Sequence, residues 1–173
     1  MQVNETRKYY GKYRGVVVNN VDPEQIGRIQ VLVPDVSQVL PTTWAMPCMP
    51  VAGLQMGIYH VPPMGAGVWI EFEQGDPDYP VWVGCYWGTA AELPAVTHMT
   101  PPGVDQVVVQ TTLQSALVVT DLPGPTGGIV LRSPTGATLI VNDTGIYIQN
   151  GKGASITLIG PAVTVNAGAL VVT

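Results

Sequence analysis

The sequence predicts an all-β protein, made of a small closed barrel followed by repetitive β-structure. Val, Ile, Thr, Gly and Pro occur from end to end, and the 20 glycines and 16 prolines would interrupt almost any helix of ordinary length. The first half alternates short strand patterns with strong turn signals. The last third repeats its own residue pattern, which is typical of structures built from stacked β units.

The barrel is predicted from about five short strands between residues 13 and 87. Residues 19–23 (NNVDP) indicate a turn stabilised by Asx and proline chemistry. Residues 27–33 and 67–73 alternate apolar with other side chains, so each is expected to be a strand with one buried face. The inward side chains are expected to be Ile29, Val31, Val33, Val68, Ile70 and Phe72. Residues 81–85 are expected to pair with 67–73 after a tight connection at 74–80.

The repeat is visible in the last third of the chain. Residues 128–141 align without a gap on residues 145–158, and a looser copy follows at 163–172, with a weaker one earlier at 116–121. Each unit is two short strands with a Gly-led turn, the pattern of a β-solenoid or β-prism. Strands so short, in so few copies, would leave a single chain with little core and an exposed edge. Three chains wound together would remove both defects, which favours a homotrimer.

The low content of charged residues agrees with burial between subunits. Only 11% of residues are charged while 46% are hydrophobic, so there are too few charges to cover the surface of a compact monomer.

The apolar runs are strand-sized, shorter than a membrane-spanning helix requires. Residues 1–15 lack the apolar stretch of a signal peptide, so we expect synthesis and assembly in the cytoplasm. Cys48 and Cys85 are expected to be buried thiols and not a disulfide.

These patterns divide the chain into four parts. Residues 1–12 are an N-terminal segment, 13–88 the barrel, 89–106 a connector rich in turn signals, and 107–173 the repetitive part with its period of about 17 residues.

The residues of the barrel resemble a known family. The order of Gly15-Val16-Val17, Asp22-Pro23, GRIQVLVP at 27–34, Trp44 and PPMGAGVWIEFEQGDPDYPVWVG at 62–84 is similar to the OB domain of phage baseplate assembly protein V and of the valine-glycine repeat spikes of type VI secretion. The second half resembles the trimeric β-helix that follows this domain. The resemblance implies an N-terminal OB-fold barrel followed by a C-terminal intertwined triple-stranded β-helix, in a homotrimeric spike of a virion or injection-particle baseplate. Sheath contraction would drive this needle through the host envelope.

The resemblance also implies partners. No lysozyme-like segment and no large hub region is recognised, so a separate hub protein is expected. The residues expected to contact the hub are the basic ones near the N-terminus: Arg7, Lys8, Lys12 and Arg14. The residues expected to contact a tip protein of the Pro-Ala-Ala-Arg repeat class are those of the last strand: Leu170, Val171, Val172 and Thr173. Some members of the family that this chain resembles bind a metal ion at the needle apex through a His-x-His motif near the C-terminus. His60 and His98 both lie far from the C-terminus, so a metal-binding apex is not expected here.

The carboxylates with the chemistry for catalysis or calcium binding have simpler interpretations. Glu71 and Glu73 are two residues apart and are expected to share a solvated strand face. Asp76 and Asp78 are expected to stabilise a turn, because the fuller ligand series of a calcium loop is missing. The sequence therefore indicates neither an enzyme nor a cofactor.

An alternative function for an OB barrel is binding of single-stranded nucleic acid. It needs a basic groove with stacking aromatic rings, and the segment containing Tyr9, Tyr10 and Tyr13 with its lysines offers a candidate. The net charge of −5 disfavours this alternative, because affinity for phosphates comes from positive charge.

Overall fold

The computed structural model describes residues 7–172, and the chain falls into two compact units with their boundary between Glu92 and Leu93. Strands make up the regular structure of both units, as the sequence predicted. No helix in the described range is long and apolar enough to cross a membrane.

The first unit is a five-stranded barrel. Its strands and one added hairpin are β1 (Tyr13–Asn19), β2 (Gln30–Leu32), β3 (Met46–Pro47), β4 (Ala52–Gly53), β5 (Met56–Gly57), β6 (Gly67–Phe72) and β7 (Pro80–Tyr86). The sheet order is β2-β1-β6-β7-β3, and β4 pairs only with β5. Ile29 and Ala45 form an antiparallel bridge, with N–H···O distances of 3.2 and 2.7 Å, next to the two outer strands. This bridge joins the ends of the sheet and closes the barrel.

The barrel core comes from alternating inward side chains. The predicted set is buried, together with further residues of neighbouring strands: Val17, Ile29, Val31, Val33, Ala45, Val68, Ile70, Phe72 and Trp82. The indole N–H of Trp82 donates to the carbonyl oxygen of Gly27 at 3.1 Å, so its one polar atom is satisfied. The strand predicted at 27–33 is shorter than expected, because regular pairing with β1 begins only at Gln30.

The turn after β1 is organised by one carboxylate. Asp22 Oδ1 accepts from the backbone N–H of Glu24 at 3.0 Å, and Oδ2 accepts from the N–H groups of Ile26 and Arg28 at 3.0 and 3.2 Å. The Arg28 guanidinium donates twice to Oδ1, at 3.1 and 2.7 Å. These bonds hold the pKa of Asp22 far below its ordinary value, the Arg28 side chain being the largest cause. The predicted Asx chemistry is therefore confirmed.

The second unit contains an eight-stranded antiparallel meander. Its strands are β8 (Gln106–Gln110), β9 (Ala116–Thr120), β10 (Gly128–Arg132), β11 (Thr138–Asn142), β12 (Gly145–Gln149), β13 (Ser155–Ile159), β14 (Ala162–Val165) and β15 (Leu170–Val172). Each strand pairs with its neighbours in sequence, from β8 to β15. A 3-10 turn at Ala95–Met99 precedes the sheet, and the Gln106 side chain donates to the carbonyl oxygen of Thr97 at 3.0 Å.

The repeat has a physical basis in two equivalent positions. A Cβ atom added at Gly128 would overlap the carbonyl oxygen of Val141, and one at Gly145 would overlap that of Leu158. Both glycines also have positive φ, +85° and +156°. In the turns between strands, Ser133 Oγ accepts the N–H of Ala137 at 3.1 Å, as Asn150 Oδ1 accepts that of Ala154 at 3.0 Å. The same backbone path therefore requires glycine at the equivalent position one repeat later, and a side-chain oxygen accepts the turn N–H in both copies.

Two sequence expectations are wrong, and one pair of strands was not expected. Cys48 and Cys85 are exposed and not buried, because Cys48 follows the last residue of β3 and Cys85 lies near the end of β7. Glu73 does not share a strand face with Glu71, because β6 ends at Phe72 and Glu73 begins a 3-10 turn. The β4–β5 hairpin lies in a stretch to which the sequence assigned no strand.

Candidate functional site

One face of the eight-stranded sheet consists of aliphatic side chains, two from each strand. In ladder order from β8 to β15, one column is Val107, Val119, Ile129, Val141, Ile146, Leu158, Val163 and Val172. The other column is Val109, Leu117, Leu131, Leu139, Ile148, Ile156, Val165 and Leu170. Neighbouring residues of each column are directly cross-strand, so the two columns form one continuous surface. With strands about 4.8 Å apart, this aliphatic face is about 34 Å long.

The aliphatic face is exposed in the single chain. Most of its side chains are exposed, and none of its positions is polar. The opposite face carries Gln, Thr, Asn, Ser and Arg132 at the outer positions of the strands. On β9, that opposite face is buried at Ala116, Val118 and Thr120. A continuous exposed apolar surface of this size marks a contact with another chain. Because three aliphatic residues follow one another in strands such as β8 and β10, the sequence alone did not show which of them share this face.

The predicted tip residues lie at one end of the sheet. Leu170 and Val172 belong to the aliphatic face, and Val171 pairs with Thr164. Thr173 lies outside the described residues. Within the described part of the chain, β15 has β14 on one side and no strand on the other. The last strand thus presents both an apolar face and an edge for further strand pairing.

The basic segment lies against the barrel. Tyr9 donates its N–H to the carbonyl oxygen of Gly75 at 2.8 Å, and its ring packs 5.9 Å from that of Phe72. Lys8 pairs with Asp76 at 3.2 Å, and Lys12 with Glu71 at 2.8 Å. The N–H of Asp78 and then Lys8 lower the pKa of Asp76. Both lysines that were expected to contact a hub, or to line a nucleic-acid groove, are therefore paired with carboxylates of the same chain.

Arg14 differs from those lysines because its partners are aromatic. Its guanidinium lies 5.4 Å from the ring centroids of both Trp69 and Tyr86, which are themselves 5.1 Å apart. A Cβ atom on Gly67 would lie 2.8 Å from the Tyr86 ring, so glycine leaves room for that ring against β6. This cluster, Arg14 with Trp69 and Tyr86, combines residue types that dominate the energetics of protein interfaces. Arg7 lies similarly over Tyr9, at 5.2 Å.

The other polar candidates do not assemble into a site. Asp76 Oδ1 accepts the N–H of Asp78 at 3.2 Å, which is the turn role expected from the sequence. Among residues 7–172, no three His, Cys, Asp or Glu side chains are grouped as metal ligands. His60 stacks edge-on against Trp82, with ring centroids 5.9 Å apart.

Comparison with known families accounts for both units. Residues 13–87 match the family model described as the type VI secretion system/phage-baseplate injector OB domain. Residues 106–171 match the model described as the phage baseplate V C-terminal trimerisation domain. The second match includes every residue of the aliphatic face except Val172. No match was found among curated proteins.

Proposed function

Because the chain belongs to the phage baseplate V and type VI secretion injector family, we propose that it is the central spike of a contractile injection particle. In this proposal three copies assemble in the host cytoplasm, and sheath contraction drives the resulting needle through the host envelope. Membership in this family supports a structural role in the baseplate and a homotrimer. The observation that carries the finer proposal is the continuous, exposed aliphatic face of the second unit.

Three such faces turned toward a common axis would form a triangular prism with a dry interior. Each strand level would contribute two aliphatic side chains per chain, and full burial of a side chain of this type contributes about 1.5–3 kcal/mol. The backbone ladder already runs within one chain from β8 to β15. Pairing these strands therefore does not require the interwinding expected from the sequence, and the prism would resist force through its ladder and its filled interior.

The first prediction concerns mass in solution. Light scattering on the purified chain is expected to give three times its 18.3 kDa, because the aliphatic face has no other cover in a pure sample. The trimer should also survive dilute sodium dodecyl sulfate on an unheated gel, since its interior is dry and hard to reach. A monodisperse 18.3 kDa species would contradict the trimer and, with it, the proposed needle.

We place the hub contact on the Arg14 cluster. Lys8 and Lys12 are paired within the chain, whereas the guanidinium edge of Arg14 has no carboxylate partner within the described residues. A partner that supplies a carboxylate would add charge-assisted hydrogen bonds beside two aromatic rings. The tip contact is placed at β15, where a capping protein would cover Leu170 and Val172 and pair with the free strand edge.

Particle composition tests both contacts. Arg14→Glu is expected to remove the spike from purified particles, because the introduced carboxylate would repel the carboxylate that the hub is proposed to supply. Val172→Asp is expected to keep the spike and lose a tip polypeptide, as read by quantitative mass spectrometry, because Val172 lies on the last strand, at the end of the aliphatic face and not in its buried middle. Lys152→Glu, which reverses an exposed positive charge in a turn of the second unit, is the control and should leave composition unchanged. Wild-type particles that lack any tip polypeptide would contradict the cap.

A further inference from the structure

The barrel unit carries an apolar hairpin that the described residues of that unit leave uncovered. In the β4–β5 hairpin, Ala52 pairs with Gly57 and Gly53 with Met56. All of residues 51–60 are exposed, and Leu54 at the tip is 95% exposed. The hairpin lies in the stretch 36–70, which contains no Asp, Glu, Lys or Arg.

The hairpin is a defined structure. Ile58 donates its N–H to the carbonyl oxygen of Val51 at 3.1 Å. A Cβ atom on Gly57 would lie 2.8 Å from that same oxygen, so the narrow turn requires glycine. Gln55 has φ +55°, a conformation that a non-glycine residue adopts at a cost. Because an isolated two-stranded hairpin is only marginally stable in water, a strained turn that exposes Leu54 indicates a contact surface.

We infer that the hairpin of one copy is covered by the barrel unit of a neighbouring copy in the trimer on which the proposed function rests. Permanent homo-oligomer interfaces are more apolar than transient ones and have few charges at their centre, which matches this uncharged stretch. The trimerisation domain tethers three barrel units at high effective concentration, so a modest contact is enough. A head-to-tail contact repeated around a threefold axis closes into a ring.

Methionine oxidation of the purified full chain tests this contact. Met56 on the hairpin is 62% exposed in the single chain, and Met99 of the second unit, 71% exposed, is the internal reference. Dilute hydrogen peroxide is added, and sulfoxide formation at each methionine is followed by peptide mass spectrometry. Met56 is expected to oxidise about tenfold more slowly than Met99 in the trimer, because oxidation follows exposure. Equal rates in a confirmed trimer would overturn the inference and leave the proposed function standing.

A pair of matched variants separates this contact from the needle. Leu54→Asp is expected to raise the Met56 rate to that of Met99 while the mass remains that of a trimer. The control is Leu113→Asp, which changes a leucine that is 78% exposed on a turn of the second unit and should leave Met56 slow. A Met56 rate that Leu54→Asp does not change would overturn the inference. A monomeric wild-type chain would overturn both the inference and the proposed function.

Discussion

Replacing Ile148 with aspartate is expected to convert the trimer into monomers. Ile148 lies on β12 in the middle of the sheet, directly opposite Leu139 and Ile156 on the neighbouring strands. Threefold symmetry would bring three aspartates into a dry interior, and burial of each unpaired carboxylate costs several kcal/mol. Light scattering should then report a mass close to 18.3 kDa.

The matched control for this prediction is Gln149→Asp. Gln149 follows Ile148 on the same strand, is exposed, and belongs to the opposite face of the sheet. It should therefore accept the same charge and remain a trimer. Ile148→Ala provides a milder test, which separates loss of the trimer from unfolding of the second unit. It should remain trimeric but lose about 2–5 kcal/mol per chain through the cavity it creates. An Ile148→Asp trimer as stable as Gln149→Asp would contradict an inward-facing aliphatic face.

The barrel could be predicted because its signals are local. Alternation at Ile29, Val31 and Val33 requires only the two-residue period of a strand, and all three are buried. A closed barrel was expected from the number of short strands, but the residues that close it could not be predicted, because the bridge from Ile29 to Ala45 joins segments whose spacing is fixed by the whole sheet. The Arg14 cluster was missed for the same reason. Tyr86 approaches Trp69 only through the pairing of β6 with β7.

In the second unit, the sequence predicted the period but not the distribution of its faces. Gly128 and Gly145 are visible as a repeat, and the structure explains both by the nearby carbonyl oxygens of Val141 and Leu158. That these sixteen aliphatic side chains share one face depends on the register of seven strand pairs, and a shift by one residue in any pair would divide them. The exposed positions of Cys48 and Cys85 were misjudged because residue type alone favoured burial.

Asp22→Asn is expected to destabilise the barrel unit and leave the second unit unchanged. The carboxylate accepts five N–H bonds, three from the backbone and two from Arg28. An asparagine offers one oxygen, and its amide group would face donors that need acceptors. We expect the thermal midpoint of the barrel to fall by about 5 °C or more. All four tryptophans of the chain lie at or before residue 87, so tryptophan fluorescence reports the barrel alone.

The pH dependence makes this prediction specific to the carboxylate. Because folding lowers the pKa of Asp22, its stabilising contribution is fully present above the ordinary aspartate value of about 3.8 and is lost as the pH falls through the lower folded value. The gap in midpoint between wild type and Asp22→Asn should therefore be constant near neutral pH and narrow below about pH 4. Asp35→Asn, at an exposed aspartate, should show no such gap. A gap that persists undiminished in strong acid would mean that Asp22 stabilises the turn by its shape and not by its charge.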